Sequence, residues 1–151
     1  PGFYGKMKTL DRRKFILGAA ACFCCLLSGK LFAATIKMRT LYNKDLSFSD
    51  LAKSLEGNRI DISGYMAPPL KAESHFFVLT KKPMAVCPFC GTDADWPDDI
   101  VAIYTKRLID VVPFNSQIVV SGILELGSFT DEDTGFVSRV RLVDASYRKV
   151  S

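Results

Sequence analysis

Five short stretches spread over about 90 residues carry the side-chain pattern of β-strands, and almost nothing between them carries that of a helix. Residues 58–66 alternate apolar and polar side chains through Ile60, Ile62 and Met66, the period of a strand with one buried face, and Pro68 and Pro69 end the run. Residues 75–80 hold the continuous apolar run Phe76, Phe77, Val78 and Leu79. A third stretch spans 99–105, and Pro113 punctuates its connection to a fourth at 117–126. Residues 127–135 are polar and begin and end in glycine, as a turn region does; 136–147 then alternate again. One short amphipathic helix is predicted at 48–56, with Leu51, Ala52 and Leu55 on one face. Ser47 or Ser49 would cap its start and Gly57 would stop it.

At 151 residues the chain is long enough for one ordinary domain and too short for two. Five strands with little helix predict a mainly β fold. The best fit is a small antiparallel five-stranded barrel of the oligonucleotide/oligosaccharide-binding (OB) type, with Greek-key connections and a short N-terminal helix. An open sandwich is the alternative.

Charge divides the chain at residue 34. Residues 1–34 hold six basic residues (Lys6, Lys8, Arg12, Arg13, Lys14, Lys30) against one acid, Asp11, which leaves 14 basic and 15 acidic residues from Thr35 onward. The net charge of +4 therefore belongs to the first segment, and the part expected to fold has no electrostatic basis for a nucleic-acid partner. Residues 15–29 carry no charge, and 15 residues of helix reach only about 22 Å, short of a bilayer's hydrocarbon core of about 30 Å. An export signal is the expected reading. Arg12 and Arg13, with Phe15 and Leu17 behind them and then a modest Gly/Ala-rich run, look like a twin-arginine signal. Leu31 or Phe32 would occupy the small-residue position of a cleavage site, so an uncleaved inner-membrane anchor facing the periplasm is the alternative. Lipidation at Cys22 is a further one. Met7 is the expected start of translation. The organisation predicted is thus an N-terminal extension and signal over 1–34, then a single exported periplasmic domain over 35–151.

Gly64-Tyr65-Met66-Ala67-Pro68-Pro69-Leu70, then the Phe76 to Leu79 run and Cys87-Pro88-Phe89-Cys90, resemble the core pattern of a group of small exported bacterial proteins classed as a domain of unknown function. The likeness covers about 46–145. Members commonly carry a turn with Cys, His and a run of prolines; this chain has Cys-Pro-Phe-Cys-Gly and then Trp96 and Pro97. The resemblance implies an exported, barrel-like domain associated with membrane transport systems, in particular ABC transporter components of the lipoprotein- or macrolide-exporter type. It implies no reaction.

The residues able to carry chemistry gather between Met84 and Asp99. Cys87 and Cys90 form a C-x-x-C pair, and Pro88 and Gly91 give it the shape of a zinc knuckle, in which backbone N–H groups turn toward two thiolates. Two further ligands would have to come from His75, the only histidine, from Asp93 or Asp95, or from a second molecule. Thiolates with Met66 or Met84 would instead suit Cu(I) copper. In an oxidising compartment the same pair can close a Cys87–Cys90 disulfide that pins the turn. A third chemistry is thiol-disulfide exchange, with Cys87 attacking and Cys90 resolving, but no βαβ pattern precedes the motif and no amphipathic helix comes after it. Trp96, the only tryptophan, is either a core anchor or part of a ligand or partner surface.

Other chemistries lack their residues. With Asp93 first, a calcium loop would need Gly and Glu where Asp98 and Tyr104 stand. Asp131, Glu132 and Asp133 read as turn chemistry. One histidine and no serine in a strand-to-helix elbow leave no hydrolytic triad. The expected function is a non-enzymatic binding or accessory protein that takes a metal at Cys87, Cys90 and His75, with a thiol-redox protein as the alternative.

Overall fold

Alternation along the chain becomes the inner and outer faces of one sheet that closes on itself. The computed structural model describes residues 35–71, 73–85 and 97–150, all within one compact unit, Ala33–Ser151. The strands are β1 (Thr35–Ile36), β2 (Arg59–Met66), β3 (Phe76–Thr80), β4 (Ile100–Thr105), β5 (Gln117–Thr130) and β6 (Val137–Lys149). Their order is β1-β2-β3-β4-β6-β5, and β5 pairs back onto β2, so β2 to β6 form a ring. In β2 every second residue from Ile60 to Met66 is buried, and in β5 Ile118, Val120 and Leu124 point the same way. These side chains meet Phe77, Leu79, Val101, Ile103, Val140 and Leu142 inside the ring.

Two expectations change. Among the described residues six strands are present where the pattern predicts five, because the two-residue β1 lies on β2, with Thr35 opposite Asp61 and Ile36 opposite Ile62. The sheet is also mixed, not antiparallel throughout: β1 runs parallel to β2, and β4 runs parallel to β6, with Ala102 opposite Arg141. The parallel contact is what lets β6 close the ring after the long β5–β6 hairpin has doubled back.

The helix α1 (Asp50–Leu55) sits where the amphipathic pattern placed it. Ser49 is its cap, its Oγ accepting from the Ala52 N–H at 3.1 Å, and Ala52 is fully buried. Beyond α1, Gly57 takes a φ of +77°, and its N–H donates to the Leu124 carbonyl on β5. A 3₁₀ turn (Met38–Leu41) plugs the core with Met38 and Leu41. Gly64 is required where β2, β3 and that turn converge: a Cβ there would lie 2.7 Å from the Thr80 carbonyl oxygen and 2.8 Å from the Met38 methyl.

β3 and β4 differ from the other strands in being buried on both faces. All five residues of β3 and the first four of β4 are buried. Their outward side chains, Phe76, Val78, Ile100 and Ala102, lie under Ala67 and Leu70 from the β2–β3 connection and Phe136 from the β5–β6 connection. Lys71 Nζ donates to the Asp133 carbonyl at 2.5 Å, tying these two connections together.

Candidate functional site

The connection that carries the cysteines is rooted at one tightly built point. Thr80 and Ile100 are paired residues of β3 and β4, and just beyond them the Lys81 N–H donates to the Asp99 carbonyl at 2.9 Å. Thr80, itself fully buried, holds its hydroxyl 2.7 Å from the Lys82 carbonyl oxygen and 3.2 Å from that of Tyr65. Asp98 receives Arg39 from the 3₁₀ turn, Nη1 to Oδ2 at 2.9 Å. The connection therefore leaves and re-enters the ring beside β2, with both ends fixed. Cys87, Cys90, Asp93, Asp95 and Trp96 lie outside the described residues.

His75 stands at the opposite end of β3. Thr80 lies five positions further on, about 17 Å along the strand. Its side chain is exposed, and its carbonyl takes the Thr105 N–H at 2.8 Å. Among the described residues no three His, Cys, Asp or Glu side chains are grouped to hold a metal. Met66 faces the core at 1% exposure, and its sulfur accepts the Val112 N–H at 3.4 Å, so that sulfur already serves packing. Met84 is half-buried.

The acidic turn is a turn in its chemistry as well as its position. Asp131 Oδ1 accepts both the N–H and the hydroxyl of Thr134, at 2.8 and 2.6 Å, and Gly135 completes it with a φ of +71°. Nearby, Tyr104 packs against Phe76 at 5.1 Å and Phe129 at 5.9 Å between ring centroids. Its hydroxyl is buried and makes no hydrogen bond of normal geometry among the described residues, although Asp131 and Ser138 lie close enough to act on its proton. Burial, with the Asp131 carboxylate adding to it, pushes the phenol well above its ordinary range.

A concavity lies on the outer face of β2, β5 and β6, where no motif in the chain marks a site. It is a groove of about 200 Å³ lined by Asp61, Val119, Ser121, Ser146, Tyr147 and Arg148. Alternation does aim Asp61 and Ser121 outward. Their alignment with Ser146 depends on a register shift between Ser121 and Ile123 that no local pattern announces.

No family model matches the sequence, and no curated protein matches it. Among solved structures, the fold is similar to that of a DUF3299 family protein from Pseudomonas aeruginosa PAO1, with a TM-score of 0.50 at 14% identity over 79% of this chain and 97% of that one. At that identity the likeness speaks to the fold alone: this chain shares the architecture of a protein from an uncharacterised domain family.

Proposed function

We propose that the chain is an exported, periplasmic, non-enzymatic binding or accessory domain, built as an OB-like Greek-key barrel, that uses its Cys87–Cys90 turn to hold a metal ion. The strand order supports the OB-like reading. Setting β1 aside, the first strand of the ring touches the second and the fourth, and the third lies beside the fifth. OB domains bind oligonucleotides or oligosaccharides on the face of the second and third strands, between the loops after the first and fourth. The equivalent face here is β3–β4, and it is filled by the chain's own Ala67, Leu70 and Phe136. That occupied face is the observation that carries the proposal, because it moves ligand chemistry off the face of β3 and β4. What remains on β3–β4 is the connection at its end, with both roots fixed and two thiols inside it. Association with a membrane transport system rests on the sequence resemblance, and the apolar N-terminal segment would bring the domain to the membrane during export.

Metal analysis of natively exported protein tests this. Stoichiometric zinc or copper that is lost in a Cys87→Ser, Cys90→Ser variant supports the proposal, and His75→Ala then asks whether the histidine is a third ligand. Reduction of an insulin-type disulfide at a rate abolished by Cys87→Ser would replace it with the redox reading. An inert Cys87–Cys90 disulfide in metal-free protein would leave the pair structural.

A further inference from the structure

The groove on β2, β5 and β6 is lined by residues of those strands alone, and they combine one acid, one base, two hydroxyls and an apolar floor. Asp61, Ser121 and Ser146 stand directly opposite one another across three adjacent strands. Two residues along, Val119 stands opposite Arg148. All five line the same concavity. Among the described residues, none of the four polar side chains of this set has a hydrogen bond or ion pair to the protein, although nearby Arg59 and Lys106 each pair with Asp144. Asp61 and Arg148 are separated by two strand spacings across β5 and two residues along it, roughly 12 Å at the backbone, and do not reach each other. Val119, only 8% exposed, supplies an apolar floor between them.

We propose that this groove binds a small zwitterion, its ammonium on Asp61, its carboxylate on Arg148 and a short methylene chain over Val119, with Ser121 and Ser146 donating to or accepting from the charged ends. Each neighbouring chemistry fails on one residue. An arginine between serines would take any oxyanion, but Asp61 repels a phosphate or other multiply charged anion. An aspartate alone would take any amine, but Arg148 repels a polyamine. A groove of about 200 Å³ is also below the usual range of roughly 300–1,000 Å³ for drug-sized ligands, which favours a small molecule.

The test is an amide-resolved NMR titration of the full chain with 6-aminohexanoate, alongside hexanoate and hexylamine, which each keep one charge. The expected result is saturable shifts at Asp61, Val119, Ser121, Ser146 and Arg148, with each one-charge analogue at least fivefold weaker. Asp61→Asn should reduce 6-aminohexanoate to the affinity of hexanoate, and Arg148→Gln to that of hexylamine, while both variants keep the parent's melting temperature. Shifts that do not saturate, that centre elsewhere, or that are equal for the three compounds overturn the proposal. So does unchanged affinity in both variants.

Discussion

β3–β4 and β2–β5–β6 belong to one ring, yet they solve the problem of their outer faces in opposite ways. β3 and β4 turn Phe76, Val78, Ile100 and Ala102 outward and bury them under loops. β2, β5 and β6 turn Asp61, Ser121 and Arg148 outward to water, and on the same face Arg141 pairs with Glu125 while Arg139 lies over the Phe48 ring. The first solution draws on the hydrophobic effect, which is insensitive to pH and scales with the area covered. The second draws on ion pairs and hydrogen bonds, which are weak where water competes. One side of the ring is therefore closed to ligands by its own side chains, and the other is open.

The largest effect is expected where both solutions share the inside. Phe77 is 1% exposed and packs edge-on against Tyr147 of β6 at 5.4 Å, so it joins the two halves of the ring. Phe77→Ala should cost about 3–5 kcal/mol in chemical denaturation. A loss under about 1 kcal/mol would mean the ring is not held by a common core.

Phe136→Ala separates the halves. Phe136 is 8% exposed and packs at a tilt against Phe76, 5.1 Å between ring centroids, but it covers only the outer face of β3–β4. A loss of roughly 2 kcal/mol is expected, with an increase in binding of a hydrophobic dye to the folded protein as the cover opens. A cycle with Phe76→Ala should give a coupling of about 0.5–1.5 kcal/mol. Dye binding unchanged from the parent would show that the face is closed by other residues.

This contrast also sets how much of the fold is legible from residue order. The unbroken run Phe76 to Leu79 and the run that begins β4 are the signature of strands buried twice, and the alternation in β2 and β6 is that of strands buried once. Both are legible because side-chain period reports burial directly. β5 runs past the predicted end at residue 126 and continues to Thr130. Gly127 and Ser128 read as a turn, but a register shift between Leu126 and Phe129 absorbs them, with Gly127 at a φ of +100°. β1 escapes a reading by period because two residues hold none, and their partners Asp61 and Ile62 lie far along the chain. The parallel β4–β6 contact and the Asp61, Ser121, Ser146 row escape it for the same reason. Ring closure and cross-strand register are decided by packing between distant segments.

On the polar side the best-placed charge is Arg141. Its Nε donates to Glu125 Oε2 at 2.7 Å and its Nη1 to the Gly127 carbonyl at 3.0 Å, while the guanidinium lies 4.7 Å from the Phe129 ring centroid. Only a planar fork meets all three at once. Arg141→Lys should cost roughly 1–2 kcal/mol, less than Phe136→Ala, and a neutral outcome would mean these contacts merely replace equivalent ones to water.

The smallest effect is the one that distinguishes the two sides most cleanly, because it depends on pH. Asp144 sits at a φ of +51°, and its carboxylate takes Lys106 Nζ at 2.8 Å and Arg59 Nη2 at 2.5 Å. The hydrogen bond from the Lys106 ammonium, joined by the charge of Lys106 and by Arg59, holds the carboxyl below its ordinary range. A depressed carboxyl stabilises the fold fully above the unfolded-chain value of about 3.9, and that contribution disappears as pH falls through the lower folded value. Asn tolerates the left-handed backbone as Asp does, so Asp144→Asn removes the charge and leaves the geometry. The melting temperature of Asp144→Asn should lie below the parent's by a constant margin from about pH 7 to about pH 5 and converge on it below about pH 4. The deficit of Phe136→Ala should not narrow by this route, because no charge is lost when an apolar cover is removed. If the Asp144→Asn margin is the same at about pH 3 as at about pH 7, the two sides do not differ in the kind of force that holds them.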